Sequence, residues 1–491
     1  MFESAELGRT LDKATYKKEQ PRLREALLEA QFALKESQAF SVVVLIAGVD
    51  GAGKGETVNA LNAWLDPRHI ETNAFREPSD EESDRPPMWR FWRALPPKGK
   101  LGIFFGSWYT APILARVEGH ASEDELTRHI DEINRFERML ADEGVLLLKF
   151  WFHLSKRDQK KRLKKLEKDP VSRWRVTKAD WARFKVYDEF RAESEHVLRR
   201  TDKAHAPWLV IEGLDERYRT VTAATAILDS LKRRLANPKE RPKRLAPRPI
   251  AAAGKNVLEA LDLKRTQAKD KYRAALAKYQ GQLNLLGRDK RFHKRHAVVA
   301  VFEGNDAAGK GGSIRRATEA LDARYYRVVP IAAPTDEERA QPYLWRFWRH
   351  LPRRGHFTIF DRSWYGRVLV ERVEGFAAEP DWLRAYSEIN DFEEEMAAHG
   401  IIVAKFWLAI GKDEQARRFK EREATGHKRH KLTDEDWRNR EKWDLYVQAI
   451  CDMVDRTSTE VAPWTLVEAN DKFHARIKVL KTLCERIERA L

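Results

Sequence analysis

Short apolar runs alternate with longer amphipathic segments along the chain, and this alternation is the first guide to the fold. The run SVVVLIAG begins at Ser41 and AVVAVFEG begins at Ala297, and each ends directly in a glycine. A short run rich in β-branched residues is typical of a buried parallel strand. Three further strands are predicted where FTIFD ends at Asp361, where IIVAKFWL begins at Ile401 and where TLVEA begins at Thr465.

Helical patterns lie between and before these runs. LREALLEAQFALKES from Leu23 precedes the first strand, and a second helical pattern extends from Asp381 to Gly400, a plausible C-cap glycine. Strands alternating with helices indicate an α/β fold: three layers, with a parallel sheet and right-handed crossovers.

The whole pattern occurs twice in the chain. GVDGAGKGET at Gly48 returns as GNDAAGKGGS at Gly304, an offset of 304 − 48 = 256. The same offset relates four other motifs: RFWR at Arg90 and Arg346, SWY at Ser107 and Ser363, KFW at Lys149 and Lys405, and APW at Ala206 and Ala462. A constant offset predicts two tandem domains, 1–236 and 255–491, joined by a Pro-rich basic linker at 237–254.

Composition narrows the classes of partner. With 92 Lys+Arg against 76 Asp+Glu the net charge is +16, which favours polyanions such as nucleic acid, acidic lipid or polyphosphate. Only two cysteines occur, Cys451 and Cys484, so a disulfide framework is excluded. No secretory signal and no apolar stretch of membrane-spanning length is visible. We expect a cytoplasmic protein that does not enter a membrane.

Both copies carry a phosphate-binding loop between a strand and a helix. In the second copy it is Gly304-x4-Gly309-Lys310, followed by Gly311 and Gly312. Such glycines turn backbone N–H groups toward phosphate oxygens, and the lysine adds positive charge. Gly311 stands where a Ser or Thr hydroxyl usually reaches Mg²⁺. Two carboxylates, Asp306 in the loop and Asp361 after a strand, are therefore the candidate metal ligands.

A charged motif follows the strand that ends at Asp361. It contains Arg362 and Arg367 and is followed by Glu371. A carboxylate at a strand's C-terminal end, with guanidiniums beside a phosphate loop, suits phosphoryl transfer. An isolated Asp–Arg ion pair with a structural role is the alternative. With Asp306 and Lys310, these residues are the predicted catalytic set.

The first copy lacks most of this set. Its charged positions hold Phe105, Gly106, Ala111 and Ala115, whereas Ser107, Trp108 and Tyr109 persist. We predict that the first copy keeps its fold but has lost metal binding and catalysis. Its Asp50 and Lys54 either hold phosphate weakly or are relics.

A basic segment, KDEQARRFKEREATGHKRHK, extends from Lys412 to Lys431. Such charges often form only a solvated helix face. Because a basic segment recurs in both copies, it also suits a helical lid over the phosphate loop. Its candidate phosphate contacts are Arg418, Lys428, Arg429 and Lys431. The tryptophans that recur at the repeat offset are predicted to pack in the two cores.

Taken together, the G-x-D-x-x-G-K-G loop, WRFW, DRSWYxR, KFW, and APW followed by Asn470-Asp471-Lys472 resemble the polyphosphate kinase 2 family, twice over nearly the whole chain. The resemblance implies a P-loop kinase-like fold. Its tandem form is similar to two-domain members that make ADP from AMP and inorganic polyphosphate, by direct in-line transfer with Mg²⁺.

The family pattern also implies roles for individual residues. Asp306 and Asp361 would organise Mg²⁺, and Lys310, Arg362 and Arg367 would stabilise phosphate, with Glu371 in the same cluster. Lys472 would join the phosphate-binding set, and Asp336 and Glu337 would approach the nucleotide acceptor.

Other functions stay open at this point. They are a polyphosphate-dependent kinase of ADP or GDP, an ATP-dependent nucleotide kinase, and a non-catalytic polyanion binder; nucleic acid is the less favoured polyanion. An internal pseudo-dimer of the two copies, or a homo-oligomer, is the expected assembly.

Overall fold

The computed structural model of the protein describes residues 1–238, 256–425 and 434–491, with the backbone alone for residues 434–436. It contains two compact units. The first comprises Met1–Pro78, residues 90–238 and Pro334–Arg346, and the second comprises Ser79–Trp89, residues 256–333 and Phe347–Leu491. Each unit therefore includes a short segment whose sequence belongs to the other repeat.

Each unit is built on a five-stranded parallel sheet. The strands of the first are β1 (Val42–Gly48), β2 (Ile70–Ala74), β3 (Leu101–Phe105), β4 (Leu146–His153) and β5 (Trp208–Glu212). Those of the second are β6 (Ala297–Gly304), β7 (Tyr326–Pro330), β8 (Phe357–Asp361), β9 (Ile401–Ala409) and β10 (Trp464–Glu468). The strand orders, β2-β3-β1-β4-β5 and β7-β8-β6-β9-β10, are the same. The predicted tandem α/β fold is confirmed.

The apolar runs became the central strands for a simple physical reason. β6 lies between β8 and β9, and its residues from Ala297 to Glu303 are all buried. A strand covered on both faces favours apolar side chains at successive positions, which is the pattern seen from Ala297 to Phe302. The edge strands β2 and β7 were not predicted, because their partly exposed sequences, IETNA and YRVVP, lack that pattern.

Helices connect the strands. Those of the first repeat are α1 (Lys13–Ser37), α2 (Lys54–Trp64), α3 (Asp80–Ser83), α4 (Trp89–Ala94), α5 (Thr110–Val117), α6 (Glu123–Asp142), α7 (Lys156–Lys168), α8 (Lys178–Lys185), α9 (Tyr187–Thr201) and α10 (Glu216–Ala236). Those of the second are α11 (Lys269–Gly287), α12 (Lys290–Arg295), α13 (Lys310–Thr318), α14 (Asp336–Arg339), α15 (Trp345–Trp348), α16 (Val370–Val373), α17 (Glu379–Ala398), α18 (Lys412–Ala424), α19 (Asp434–Glu441), α20 (Trp443–Thr457) and α21 (Lys472–Ala490). Short 3-10 helices occupy Glu3–Ala5, Pro67–His69, Arg173–Arg175 and Trp364–Arg367.

The predicted helices are present. LREALLEAQFALKES lies within α1, and α17 ends at Ala398, two residues before Gly400. Nearly all of the predicted linker, from residue 239 onward, and the lid residues Lys428, Arg429 and Lys431 lie outside the described residues. Within the described part, no helix combines the length and the apolar character needed to cross a membrane. The pseudo-dimer and the cytoplasmic location stay predictions.

A buried ionic cluster supports the second sheet. Lys405 Nζ of β9 donates to Glu393 Oε2 of α17 at 2.6 Å, to the Tyr365 hydroxyl at 2.7 Å and to the Thr457 carbonyl at 2.6 Å. Trp364 Nε1 and the Tyr365 hydroxyl donate to Glu393 Oε1. A buried charge is tolerated only when it is paired and hydrogen-bonded in this way.

The first unit contains the same cluster. Lys149 Nζ donates to Glu137 Oε2 at 2.7 Å, and Trp108 Nε1 and the Tyr109 hydroxyl donate to Glu137 Oε1. The ion-pairing side chains of Lys149 and Glu137 are fully buried. The SWY and KFW motifs therefore persist in both copies because they hold the fold together. The predicted core role of these tryptophans is confirmed.

Candidate functional site

The phosphate loop of the second unit connects β6 to α13. Gly304 has φ +150°, and a Cβ at this position would clash with the Leu408 carbonyl, so only glycine fits here. Gly309 has φ +103° and caps α13. Lys310 Nζ donates to the Gly304 carbonyl at 2.8 Å. The ammonium group thus lies across a loop whose helix N-terminus already favours anions.

Two carboxylates and a guanidinium meet beside this loop. Asp361 is the last residue of β8 and lies in register with Phe302 of β6. Arg362 Nη2 lies 3.4 Å from Asp306 Oδ1. Arg362 also has φ +65°, a left-handed conformation that is unfavourable for a residue with a side chain. Such backbone strain is characteristic of functional sites.

A large basic cavity opens over the loop. Its volume is about 890 Å³. Eight basic and three acidic side chains line it: Lys310, Arg315, Arg316, Arg362, Arg418, Arg422, Lys472 and Arg476, with Asp306, Asp361 and Glu421. Gly309, Gly311 and Gly312 contribute backbone to the same wall. The sequence-predicted residues Asp306, Lys310, Asp361, Arg362 and Lys472 are thus brought together, on a surface suited to a polyanion.

Arg418 has a second role that its charge alone did not reveal. It is 3 % exposed and donates to the carbonyls of Ala307, Ala469 and Asn470 at 2.9, 2.8 and 2.7 Å. It also pairs with Glu414 at 2.5 Å. The guanidinium therefore fastens α18 to the phosphate loop and to the turn after β10. Its contact with phosphate stays a prediction.

Two predicted catalytic residues, Arg367 and Glu371, pair with each other. Arg367 Nε and Glu371 Oε2 form an ion pair of 3.1 Å, with both side chains largely buried. Neither residue is among the described residues that line the basic cavity. Their ion pair fits the predicted cluster of acidic and basic side chains, although the described lining of the basic cavity does not include them.

The predicted acceptor residues Asp336 and Glu337 lie on α14. The Asp336 side chain is exposed and pairs with Arg339 at 2.6 Å. Both residues belong to Pro334–Arg346, a segment grouped with the first unit, and neither is among the described residues lining the basic cavity. Their acceptor role therefore stays a prediction.

Glu303 is a candidate site residue that sequence analysis missed. It is buried at the end of β6 and accepts a 2.8 Å hydrogen bond from Ser363 Oγ. Burial raises its pKa to about 7, and the charges of Lys310 and Arg362 oppose that rise. The available signal was a lone glutamate ending an apolar strand, at a position where the first copy has Ala47.

Asn439 of α19 is a second missed residue. Its Nδ2 donates to Asp306 Oδ2 at 2.9 Å, and its Oδ1 accepts from the Tyr446 hydroxyl at 3.0 Å. A smaller cavity of about 80 Å³ shares Asp306, Arg362 and Asn439 with the basic cavity, and the rest of its lining combines polar residues such as Glu303 with apolar side chains such as Trp443. Asn439 thus contacts the loop carboxylate at a position that lines both cavities.

The donor set fits a hard divalent cation shared with a phosphate ligand. Within the described ranges, no group of three or more His, Cys, Asp or Glu side chains could hold a metal ion. Asp306 and Asp361 nevertheless line one cavity with the phosphate loop. Mg²⁺ is commonly held by one or two carboxylates, with substrate phosphates and water completing its shell.

The corresponding loop of the first unit is neutralised internally. Asp50 lies 3.4 Å from Lys54 Nζ and 3.3 Å from Arg183 Nε, and Arg183 replaces Asn439. Burial lowers the pKa of Lys54, an effect that Asp50 opposes. The neighbouring cavity, about 320 Å³, is walled mainly by apolar side chains such as Ile113. Asp50 and Lys54 correspond to Asp306 and Lys310, but Asp361 and Arg362 of the second copy have no charged counterparts here.

Comparison with known proteins agrees with this geometry. The sequence profile described as Polyphosphate kinase 2 matches residues 10–239 and 266–491. A polyphosphate:AMP phosphotransferase of Pseudomonas aeruginosa is 62% identical over 100% of this chain and 99% of its own length. One of Pseudomonas syringae pv. tomato is 55% identical over 100% of this chain and 99% of its own. A polyphosphate kinase 2 crystal structure from Pseudomonas aeruginosa superposes with a TM-score of 0.90, at 60% identity, covering 100% and 99% of the two chains.

Proposed function

The chain belongs to the polyphosphate kinase 2 family, and we propose that its second copy transfers the terminal phosphoryl group of inorganic polyphosphate to AMP, giving ADP. The observation that carries the proposal is the basic cavity, in which Lys310, Arg362 and Lys472 surround two carboxylates at a phosphate loop. The names of the full-length relatives support AMP as the acceptor.

The reaction needs positioning and charge neutralisation more than a strong base. An oxygen of the AMP phosphate attacks the terminal phosphorus of polyphosphate, and the bond from that phosphorus to the bridging oxygen breaks. The products are ADP and a polyphosphate shorter by one unit. Because the second pKa of a phosphate monoester is about 6, the attacking oxygen is ionised at neutral pH. Proton removal is therefore not a barrier.

The side chains have distinct tasks in this scheme. In the proposed reaction Lys310 and Arg362, which line the basic cavity, offset charge on the migrating phosphoryl group and on the leaving oxygen. The remaining cations of the cavity hold the phosphate chain in line with the acceptor. Asp306 and Asp361 would hold Mg²⁺, which supplies further neutralisation of phosphate charge when bound. Asn439 keeps Asp306 in its orientation.

The decisive experiment measures ADP formed from AMP, long-chain polyphosphate and Mg²⁺. The duplication offers a matched pair, Asp306→Asn and Asp50→Asn, which make the same change at equivalent loop positions. We expect Asp306→Asn and Asp361→Asn to lower kcat by about 10²–10³-fold, as loss of a transition-state charge contact does. Asp50→Asn should retain activity within about twofold of the unchanged protein, because it lies outside the proposed site.

Two results would count against the proposal. If Asp50→Asn lost as much activity as Asp306→Asn, the first copy would be part of the catalytic machinery. If ATP served as donor and polyphosphate did not, the chain would be an ATP-dependent nucleotide kinase. Substituting ADP or GDP for AMP in the same assay separates the remaining acceptor alternatives, and chelation of Mg²⁺ should abolish product formation.

A further inference from the structure

The first phosphate loop carries two charged side chains that the second loop lacks. Glu56 of α2 stands at the position of Gly312, and Arg219 of α10 stands at the position of Ala475. Gly312 and Ala475 are small residues that line the basic cavity of the second unit. In the first unit the same two positions therefore add a carboxylate and a guanidinium where the second unit keeps open space.

The Glu56 carboxylate binds three guanidiniums. Arg162 Nη2 donates to Glu56 Oε1 and Oε2 at 3.0 and 2.8 Å, and Arg175 Nη1 lies 3.5 Å from Oε1. Arg219 Nη2 donates to Oε2 and closes the set. Burial disfavours ionisation of Glu56, yet Arg162 and Arg219 outweigh it and hold the pKa of the carboxyl below its ordinary value. The Glu56 carboxylate is thus an anion surrounded by three guanidinium groups.

Arg219 is built into the loop itself. Its side chain is fully buried, and Nη1 donates to the Gly213 carbonyl at 3.1 Å. Its guanidinium lies so close to Gly53, the cap of α2, that a Cβ at that glycine would collide with it. Glu56 is in the first turn of the same helix, where the helix dipole favours negative charge. The Glu56 carboxylate thus lies among arginines and at a helix N-terminus, which are the surroundings typical of a bound phosphate group.

We propose that Glu56 is a permanent internal anion of the first phosphate loop, so that this loop is closed to oligophosphates and the protein binds polyphosphate through its second loop alone. A phosphate group entering the first loop would have to displace a carboxylate that already pairs with Arg162, Arg175 and Arg219. The proposal concerns binding and does not depend on the reaction proposed above. It also selects between the two fates left open for Asp50 and Lys54, because a closed loop leaves them no phosphate to hold.

Calorimetric titration of the full chain with tripolyphosphate, in the absence of metal ions, tests this. Lys310→Ala is the background, because it weakens the second loop and so exposes binding at the first. Lys310→Ala with Glu56→Gly should gain one tripolyphosphate site per chain, at least tenfold tighter than any residual binding of Lys310→Ala. The gain follows because three guanidiniums lose their internal partner and one of them, Arg219, is fully buried.

Residual binding in the Lys310→Ala background is assigned with Lys54→Ala. If this second change removes residual binding, the first loop is open and the proposal is wrong; if the residual binding persists, it lies elsewhere and the first loop is closed. Absence of a gain in the folded Glu56→Gly variant would equally overturn the proposal. Glu56→Gln preserves the side-chain shape, so it serves if Glu56→Gly does not fold. Tripolyphosphate should then raise the thermal midpoint of the Lys310→Ala variant that also carries Glu56→Gln, and it should leave the midpoint of Lys310→Ala alone unchanged. An equal response of these two variants would overturn the proposal.

The reciprocal change provides an independent test. A side chain at Gly312 would lie near Arg476 Nη2, since a Cβ there would be 3.2 Å from it. Gly312→Glu should therefore close the second loop and lower tripolyphosphate affinity of the otherwise unchanged protein at least tenfold. Gly312→Gln adds the same bulk without the charge and should have a smaller effect. Equal losses in the two variants would show that bulk, not an internal anion, blocks the loop.

Discussion

Glu303 shows how one side chain at the end of a strand changes the chemistry of a phosphate loop. It is buried beside Lys310, Arg362 and Asp361, and its pKa is raised to about 7. In the first copy Ala47 leaves that position without charge. Near neutral pH the loop of the second copy can therefore exchange a proton at this position, where the first copy has no titratable side chain.

This raised pKa makes stability depend on pH. Between 4.5 and about 7 the folded protein keeps a proton on Glu303 that the unfolded chain releases, so the free energy of unfolding falls as pH rises through that window. The full difference corresponds to about 3 kcal/mol. In metal-free protein, Glu303→Gln should not show this loss. The free energy of unfolding of Glu303→Gln minus that of the unchanged protein should therefore be greater at pH 8 than at pH 5. Denaturant titrations at the two pH values measure it, and parallel pH dependences would contradict the assignment.

The residues that line the basic cavity could be predicted in part from the sequence. Asp306, Lys310, Asp361, Arg362 and Lys472 come from motifs whose spacing fixes them at the ends of parallel strands and at helix N-termini, so their convergence was predictable. Glu303 and Asn439 were missed because their importance depends on which groups the fold places against them. A buried glutamate and a helical asparagine are unremarkable in a linear pattern.

At the scale of elements, α18 contacts the phosphate loop through Arg418 and through Gln415, whose Nε2 donates to the Asp306 carbonyl at 3.3 Å. Arg418 binds three carbonyl groups and Glu414, while its neighbour Arg417 is 61% exposed and pairs only locally on α18 with Glu414 and Glu421. The sequence shows two adjacent arginines and predicts positive charge for both. It does not show that the carbonyls of Ala307 and Ala469 come within reach of only the second.

These neighbours provide a controlled test of the role of Arg418. Arg418→Ala should lower the free energy of unfolding by about 2–4 kcal/mol, because it leaves buried carbonyls without donors. Arg417→Ala should change it by no more than about 0.5 kcal/mol. Denaturant unfolding followed by tryptophan fluorescence compares them. If Arg418→Ala weakened polyphosphate binding without loss of stability, its role would be contact with phosphate and not attachment of the helix.

Elements also show where strand prediction ends. β6 and β9 were evident because nearly every position is buried, and β8 because it ends in a motif. β2 and β7 lie at sheet edges, and their mixed sequences resemble loops. The composition of the two compact units, with Ser79–Trp89 in one and Pro334–Arg346 in the other, was equally out of reach. Segment exchange depends on long-range contacts that no local pattern encodes.

At the scale of the whole molecule, positive charge is concentrated as well as abundant. The net charge is +16, and eight basic side chains against three acidic ones line a single cavity of the second unit. At moderate ionic strength, salt largely screens the attraction between exposed charges that are more than about 8–10 Å apart. Salt should therefore weaken binding of the polyphosphate donor, which carries many charges, far more than binding of the AMP acceptor.

Raising NaCl from about 50 to 200 mM should increase KM for long-chain polyphosphate at least about tenfold, because a chain that contacts several cations releases several counterions. KM for AMP should change by less than about threefold, since AMP carries at most two charges. Steady-state kinetics with each substrate varied in turn measures both, and sucrose at matched osmolarity controls for general solvent effects. Equal shifts of the two constants would argue against a polyphosphate chain lying along the cavity.

The left-handed backbone of Arg362 has a consequence for how the two copies have diverged. Its φ is +65°, and the equivalent Gly106 in the first copy has φ +79°, so the turn is the same although the residues differ. A residue with a side chain costs about 1 kcal/mol in this conformation, and glycine avoids that cost. The second copy thus gives up some stability to place a guanidinium at its phosphate loop, whereas the first copy, with glycine, avoids that cost. Charge at the loop and backbone stability oppose each other at this turn, and in a duplicated chain each copy can favour a different one.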